Sequence, residues 1–220
     1  MRNYEDSYRH KGLRKKLLDT LREKGITDEA VLNAMNNIPR HFFMDSALDN
    51  IAYEDRAFPI SAGQTISQPY TVAFQTQLLQ IKPNEKILEI GTGSIYQATM
   101  LAELGAKVFT IERQKDLFEK SKLYIFKTKY PNLKFFYGDG FEGLPTYAPF
   151  DKVIITAAAP FIPPKLLHQL KTGGKMVIPV DEGDKQRMMR LTKNADGSTE
   201  EEVFENFSFV PMLKGTNREK

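Results

Sequence analysis

The run Lys86-Ile87-Leu88-Glu89-Ile90-Gly91-Thr92-Gly93-Ser94-Ile95-Tyr96-Gln97 decides how the chain is read. Ile87, Leu88 and Ile90 give the apolar pattern of a parallel strand buried on both faces. Glu89 sits near its end, and two glycines one residue apart, Gly91 and Gly93, follow. Ala98, Leu101, Ala102 and Leu104 then recur at helical spacing until Gly105 closes the pattern. Strand, glycine turn and helix compose a nucleotide-cofactor site. Glycines let the backbone turn sharply and approach a ligand, and a helix N-terminus favours polar or anionic groups. A second strand, Lys107–Ile111, ends in Glu112. That residue lies about 20 positions after the first glycine, the spacing at which a carboxylate accepts hydrogen bonds from ribose hydroxyls. A dinucleotide fingerprint would put a further glycine where Tyr96 stands. The plain alternative is a βαβ unit with a tight turn.

Composition bounds the class. At 220 residues one domain is expected, divided into an N-terminal helical and loop region (1–80), a cofactor-binding core (81–180) and closing strands (181–220). The net charge of +3, from 31 basic and 28 acidic residues, argues against nucleic acid or a membrane surface as the main partner. The sequence has no cysteine, which excludes disulfides, thiolate nucleophiles and cysteine metal sites. His10, His41 and His168 are far apart in sequence without ligand spacing, so no metal is expected. No apolar run approaches the ~18 residues of a membrane span, and the basic N-terminus lacks an apolar signal region. A cytoplasmic protein is expected.

Residues 1–8 read as polar and frayed. Leucines at 13, 17, 18 and 21 place a helix from about Arg9 to Lys24, and Thr27-Asp28-Glu29 caps a second, short one. His41, beside Phe42 and Phe43, reads as a surface or core histidine ahead of a catalytic one. A helical turn is expected at 46–52. Past Glu112 the pattern predicts a helix over 113–129 with Leu117, Phe118, Leu123 and Phe126 inward, then a strand at Leu133–Tyr137. A fourth strand runs from Phe150 to Thr156, and a helix follows Pro163-Pro164 with Leu166, Leu167 and Leu170 inward. Gly173-Gly174 turns into a strand at Lys175–Val180. Strands near Arg187–Leu191 and Phe204–Pro211 flank a hairpin at Asn194–Gly197. The class is α/β: a doubly wound, mostly parallel sheet with N-terminal helices and an antiparallel C-terminal edge. Ligands of such sheets sit outside the carboxyl ends of the strands. Asp139 and Gly140 lie there, and Asp139 can accept a hydrogen bond from an adenine amino group; Gly138-Asp139-Gly140 is equally a plain turn.

Tyr53–Tyr70 is long and rich in turn formers, as functional loops often are. Ser67 or Thr65 can cap the helix that starts near Pro69, but a cap leaves Gly63-Gln64-Thr65-Ile66 unexplained. The run Gly63–Pro69 resembles the signature of protein-L-isoaspartate O-methyltransferases. The E-x-G-x-G turn resembles the S-adenosylmethionine site of class I methyltransferases, whose sheet is Rossmann-like. Tyr53-Glu54-Asp55-Arg56, Gly138-Asp139-Gly140, Phe150–Ile155, Ala157-Ala158-Ala159-Pro160, Leu170–Gly174 and Phe209-Val210-Pro211 match in order, from about residue 10 to residue 214.

The resemblance implies methyl transfer from S-adenosyl-L-methionine to the free α-carboxylate of L-isoaspartyl residues in damaged proteins and peptides. It implies Ser67 as the catalytic residue. Cofactor contacts fall on Thr65, Ile66, Ser67, Glu89, Gly91, Thr92, Gly93, Ser94, Glu112, Asp139 and Gly140. Substrate contacts fall on Ser67, Ala158, Ala159, Pro160 and Val210. A site poor in bases suits this chemistry, because a carboxylate is already ionised at neutral pH. One position departs from the family, which carries glycine where this chain has Ile95. A β-branched residue disfavours positive φ and adds bulk, so reduced cofactor affinity in an intact fold is expected. Two other readings stand beside this one: the same fold acting on another carboxylate or small molecule, and a weakened or non-catalytic carboxylate-binding relative.

Overall fold

The computed structural model describes residues 4–217. Residues 1–3 of the stretch expected to fray lie outside them, but residues 4–7 are tied down. Ser7 caps helix α1 (Tyr8–Glu23) by accepting the His10 N–H, and Asp6 pairs with Arg14 at 2.8 Å. Asp28 caps α2 (Glu29–Asn37) through the N–H groups of Ala30 and Val31. Single 3-10 turns at Arg40–Phe43 and Ser46–Leu48 follow, then a two-residue hairpin of β1 (Phe58–Pro59) and β2 (Thr65–Ile66).

From there strands and helices alternate. They are α3 (Pro69–Leu79), β3 (Lys86–Ile90), α4 (Tyr96–Glu103), β4 (Lys107–Glu112), α5 (Lys115–Ser121), β5 (Leu133–Tyr137), β6 (Phe150–Ile155), α6 (Pro164–Gln169) and β7 (Leu170–Asp181). Strands β8 (Gln186–Lys193) and β9 (Thr199–Phe207) complete a sheet in the order β5-β4-β3-β6-β7-β8-β9. The pairings from β5 to β7 are parallel and the last two antiparallel, as the sequence pattern predicts. Alternation along β3 sends Ile87 to the face covered by α3 and α4, where it meets Leu79, Ala98 and Leu101. Leu88 and Ile90 point to the other face, beside Phe150 and Leu166. No helix among the described residues is long and apolar enough to cross a membrane.

Three elements differ from expectation. The helix expected over 113–129 stops at Ser121, and turns continue to Asn132. Tyr124 instead enters the core, its hydroxyl 2.6 Å from that of Thr99 on α4, and Leu123 is left 80% exposed. A polar anchor on the neighbouring helix overrides the helical period here. Gly173-Gly174 lies inside β7, where the pairing with β6 shifts register, rather than turning before it. The last strand begins at Thr199, earlier than the apolar residues near its end suggested, because the hairpin at Asn194 sets its register against β8. Leu101→Ala in the core is expected to cost about 2–5 kcal/mol. Leu123→Ala is expected to stay within about 0.5 kcal/mol, the reverse of what an amphipathic 113–129 helix requires. Paired urea denaturation of the two variants measures both.

Candidate active site

The chain winds from β3 outward through β4 to β5, then returns to β6 on the opposite side of β3. Such a switch opens a crevice at the carboxyl ends of β3 and β6. A cavity lies there. Thr65, Ile66, Ser67, Gly91, Thr92, Gly93, Ser94, Glu112, Gly140 and Val210 all line it. It is continuous with a second trough, which shares Thr65, Ser67, Thr156 and Val210 and runs out past Asn206, Ser208 and Lys185.

The glycine turn has the conformations its residues allow. Gly91 and Gly93 have φ of 98° and 50°. A Cβ on Gly91 would fall 2.6 Å from the Thr156 hydroxyl oxygen. That hydroxyl donates toward the Gly91 and Ile90 carbonyls, at 2.8 and 3.0 Å, and ties the ends of β3 and β6 together. The Gly93 N–H donates to Glu112 at 2.9 Å, and the Gln114 N–H donates to its other oxygen at 2.8 Å. Glu112 is thus fixed at the lip of the cavity. Burial raises its pKa above the usual carboxylate range, against the lowering effect of those N–H groups.

Ser67 is placed from behind. Its carbonyl accepts a 2.8 Å hydrogen bond from Arg40, whose Nε donates to the Ala52 carbonyl at 3.1 Å. Neither Ser67 nor Thr65 caps α3. Asp55 does so from across the loop, accepting the Tyr70 N–H at 2.8 Å while its carbonyl receives the Gln68 side chain. The Ser67 hydroxyl makes no hydrogen bond among the described residues, and it lies where cavity and trough meet.

Other expected residues sit outside the cavity wall. Glu89 is fully buried beneath the loop. Asp139 lies beside the cavity rather than in it: one oxygen accepts the Phe141 N–H at 2.8 Å and the other the Gly215 N–H at 2.7 Å. Ala158 and Ala159 are buried, and their backbones bond to neighbouring segments. The Ala158 N–H donates to Val210, the Met212 N–H to Ala158, and the Ala159 N–H to Pro179. Pro160 is exposed, so the small-residue floor consists of Thr156 and Ala157, one step closer to the end of β6. Sequence reasoning missed Arg113, Met212, Leu213 and Gln97 as lining residues. Gln97 had a signal: a polar residue on the inward face of an apolar helix. The Met212 and Leu213 positions depend on how the chain returns after β9, which no local pattern encodes.

The fold also gathers residues that look scattered in sequence. Asp6, His10 and His41 bring one ligand atom each within 4.8 Å of one another. The imidazoles stack with centroids 3.8 Å apart, and Asp6 is engaged by Arg14 through both oxygens. Stacked rings direct their lone pairs in parallel planes, so the three do not converge on one ion. His41 is buried against Tyr53 and takes no part in the cavity, in keeping with the core reading.

The cavity lining offers groups that suit a nucleoside. Ile66, Ile111 and Met212 supply apolar wall, and Glu112 supplies the acceptor for a ribose. The Gln97 carbonyl oxygen is buried with no protein donor, while its amide is held at 3.0 Å by the Thr76 hydroxyl. Ile95 does not obstruct that space. It adopts φ of 73°, at a cost of about 1–2 kcal/mol for a β-branched residue. Its side chain is absent from the cavity wall and lines a neighbouring groove with Phe43, Pro59, Ile60 and Leu117, which meets the cavity at Gly93 and Ser94. The expectation of lowered affinity therefore loses its steric basis. Ile95→Gly is expected to leave S-adenosylhomocysteine affinity within about threefold, since the substitution acts on backbone strain and the neighbouring groove. Calorimetric titration checks this, and a tenfold gain in affinity would return Ile95 to the cofactor wall.

Comparison with known proteins agrees with this geometry. The family described as protein-L-isoaspartate(D-aspartate) O-methyltransferase matches residues 12–217. A protein-L-isoaspartate O-methyltransferase of Christiangramia forsetii is 53% identical over 213 residues, covering 97% of this chain and 100% of that protein. A solved protein-L-isoaspartate O-methyltransferase superposes with a TM-score of 0.79 at 24% identity, over 90% of this chain and 65% of that one, and shows the fold. A structure from Plasmodium falciparum, described as a putative protein-L-isoaspartate O-methyltransferase in complex with S-adenosyl-L-homocysteine, gives a TM-score of 0.78 at 28% identity. It covers 91% of this chain and 98% of that one. With the strand-end cavity, the glycine turn and the Gly63–Pro69 loop all in place, the chain belongs to the protein-L-isoaspartate(D-aspartate) O-methyltransferase family.

Proposed function

We propose that the chain methylates the free α-carboxylate of L-isoaspartyl residues in damaged proteins and peptides, with S-adenosyl-L-methionine as donor. The observation that carries this reading is the unengaged Ser67 hydroxyl at the junction of a nucleoside-shaped cavity and an open trough. The donor supplies a methyl group already activated by its sulfonium. Thr65, Ile66, Ser67, Gly91, Thr92, Gly93, Ser94, Glu112 and Gly140 hold it, with Glu89 and Asp139 acting from behind the wall.

The residues have little bond-making to do. A carboxylate is ionised at neutral pH, so no base is required. The Ser67 hydroxyl donates to the substrate carboxylate and orients one oxygen toward the methyl carbon. Arg40 holds the Ser67 backbone, which fixes where that hydroxyl starts from. Ile66, Val210 and Met212 keep water from the reacting atoms. The trough past Asn206 and Ser208 gives an extended peptide room to leave the site on both sides of the isoaspartyl residue, and Ala158 supports its wall through Val210. The adjacent backbone nitrogen of the substrate then attacks the methyl ester, losing its proton as methanol departs, and the succinimide that forms hydrolyses in part to normal aspartate. The reading of a weakened carboxylate binder rested on Ile95, whose side chain is absent from the cavity wall. We place the activity in the cytoplasm, on protein rather than nucleic acid. The near balance of basic and acidic residues supports the choice of protein over nucleic acid.

Labelled methyl transfer to an isoaspartyl peptide, with the aspartyl peptide as control, tests the proposal. Base-labile label is expected in the first peptide alone; equal labelling of both would overturn it. Ser67→Ala removes one hydrogen bond to a charged group, about 1.5–3 kcal/mol, and is expected to lower kcat/KM roughly 10–100-fold. Its S-adenosylhomocysteine affinity is expected to change by less than about threefold, because the backbone contacts of the loop remain.

A further inference from the structure

Glu89 presents a conflict between its environment and its charge. It lies on β3, fully buried, and neither carboxyl oxygen has a hydrogen-bond donor among the described protein groups. Its strand neighbours are Thr110 on β4 and Ile154 on β6. The Thr110 hydroxyl, which pairs with that of Thr92 at 2.7 Å, is the polar group nearest to it and favours the charged form. Helices α3 and α4 cover this face, and their titratable side chains are engaged elsewhere. Tyr70 donates to Glu205, Tyr96 lies under Arg40, and Glu103 receives Tyr130. The charged group whose field reaches Glu89 is Glu112, of the same sign. Burial, the largest effect, raises its pKa to about 8 with a smaller push from Glu112, against the lowering effect of the Thr110 hydroxyl, well above that of a free glutamate. A buried acid without cation or donor keeps its proton. Yet Glu89 sits two residues before Gly91, directly beneath a loop built to receive a positively charged ligand. The Gln97 carbonyl oxygen, also buried and without a protein donor, faces the same cavity.

We propose that Glu89 is stored as a neutral carboxylic acid in the cofactor-free enzyme and ionises when the cationic cofactor binds, so that each binding event releases one proton. The balance is simple. The O–H bond of the Glu89 carboxyl breaks, the proton passes to solvent, and the carboxylate left behind is compensated by the ammonium and, in the donor itself, the sulfonium of the ligand. Glu89 thereby changes from a group the empty site tolerates into one the filled site is stabilised by. The inference rests on the cofactor reading of the cavity and goes beyond it. The sign of the pH dependence follows. Below the raised pKa, binding must expel a proton, so affinity rises with pH. Above it, Glu89 is already ionised and affinity levels off.

The test is calorimetric titration of the intact protein with S-adenosyl-L-methionine, in the absence of methyl acceptor, near neutral pH and in buffers of different ionisation enthalpy. The wild-type chain is expected to release close to one proton more than Glu89→Gln. The variant carries the ligand's own ionisation and serves as its baseline. A second readout needs no variant. The infrared difference spectrum of the wild type on adding S-adenosyl-L-methionine is expected to lose a carboxylic-acid C=O band and gain a carboxylate band. Binding without proton release and without that spectral exchange overturns the proposal while leaving the cofactor site standing. No binding at all overturns both.

Discussion

The buried guanidinium of Arg40 is the contact on which the rest of the site depends. It is almost wholly removed from water, at 1% exposure, and burial lowers its pKa to about 10, which leaves it charged at any physiological pH. It donates to the carbonyls of Ala52 and Ser67 and lies 5.1 Å from the centre of the Tyr96 ring. One cation thus joins the N-terminal helical region, the loop that carries the Ser67 hydroxyl and the first residue of the helix after the glycine turn. A charge so placed is held by hydrogen bonds and a ring face rather than by a carboxylate. Losing any of those partners would strand it, so the three segments share a single geometry.

Around that cation the site divides its labour. The β3 and β6 ends are held so close together that the Thr156 hydroxyl excludes a Cβ at Gly91. The loop after β2 supplies a hydroxyl freed from capping because Asp55 performs that task from a distance. The strained Ile95 shows what the turn demands. The backbone keeps the left-handed conformation that closes it, whatever side chain is present, and the bulk is directed into the neighbouring groove. Local preference yields there to the hydrogen bonds at either end, Ile95 to Thr92 and Thr99 to Ile95.

Much of this was legible in the sequence, and the reason is locality. The strands that became β3, β4 and β5 are short apolar runs ended by charged or glycine residues, β6 is followed by Thr156 and a run of alanines, and each was readable on its own. Glu112, Gly91, Gly93 and Ser67 fell into the cavity because strand-end position and loop signature both pointed there. The misplaced residues share a different character. Leu123 and Tyr124 exchange roles through a hydroxyl contact with Thr99, and nothing in their own neighbourhood encodes it. Ala158 and Ala159 are small to let backbones approach one another rather than to admit a substrate. Arg40 and the stacked His10–His41 pair gain their meaning from partners distant in the chain.

The wall formed by Val210, Met212 and Leu213 has a consequence for how the enzyme loses its site. It is fastened by the Val210–Ala158–Met212 backbone exchange, by Gly215 on Asp139 and by Asn217 on Arg113 and Lys115, with isolated bridges in place of a strand ladder. Segments held outside a ladder open at lower free energy than the sheet beneath them. Mild heat or denaturant would therefore strip the binding cavity from molecules whose secondary structure is still whole. Inactivation and unfolding would be two separate events in this chain, with the first setting how long an ageing population of the protein stays useful.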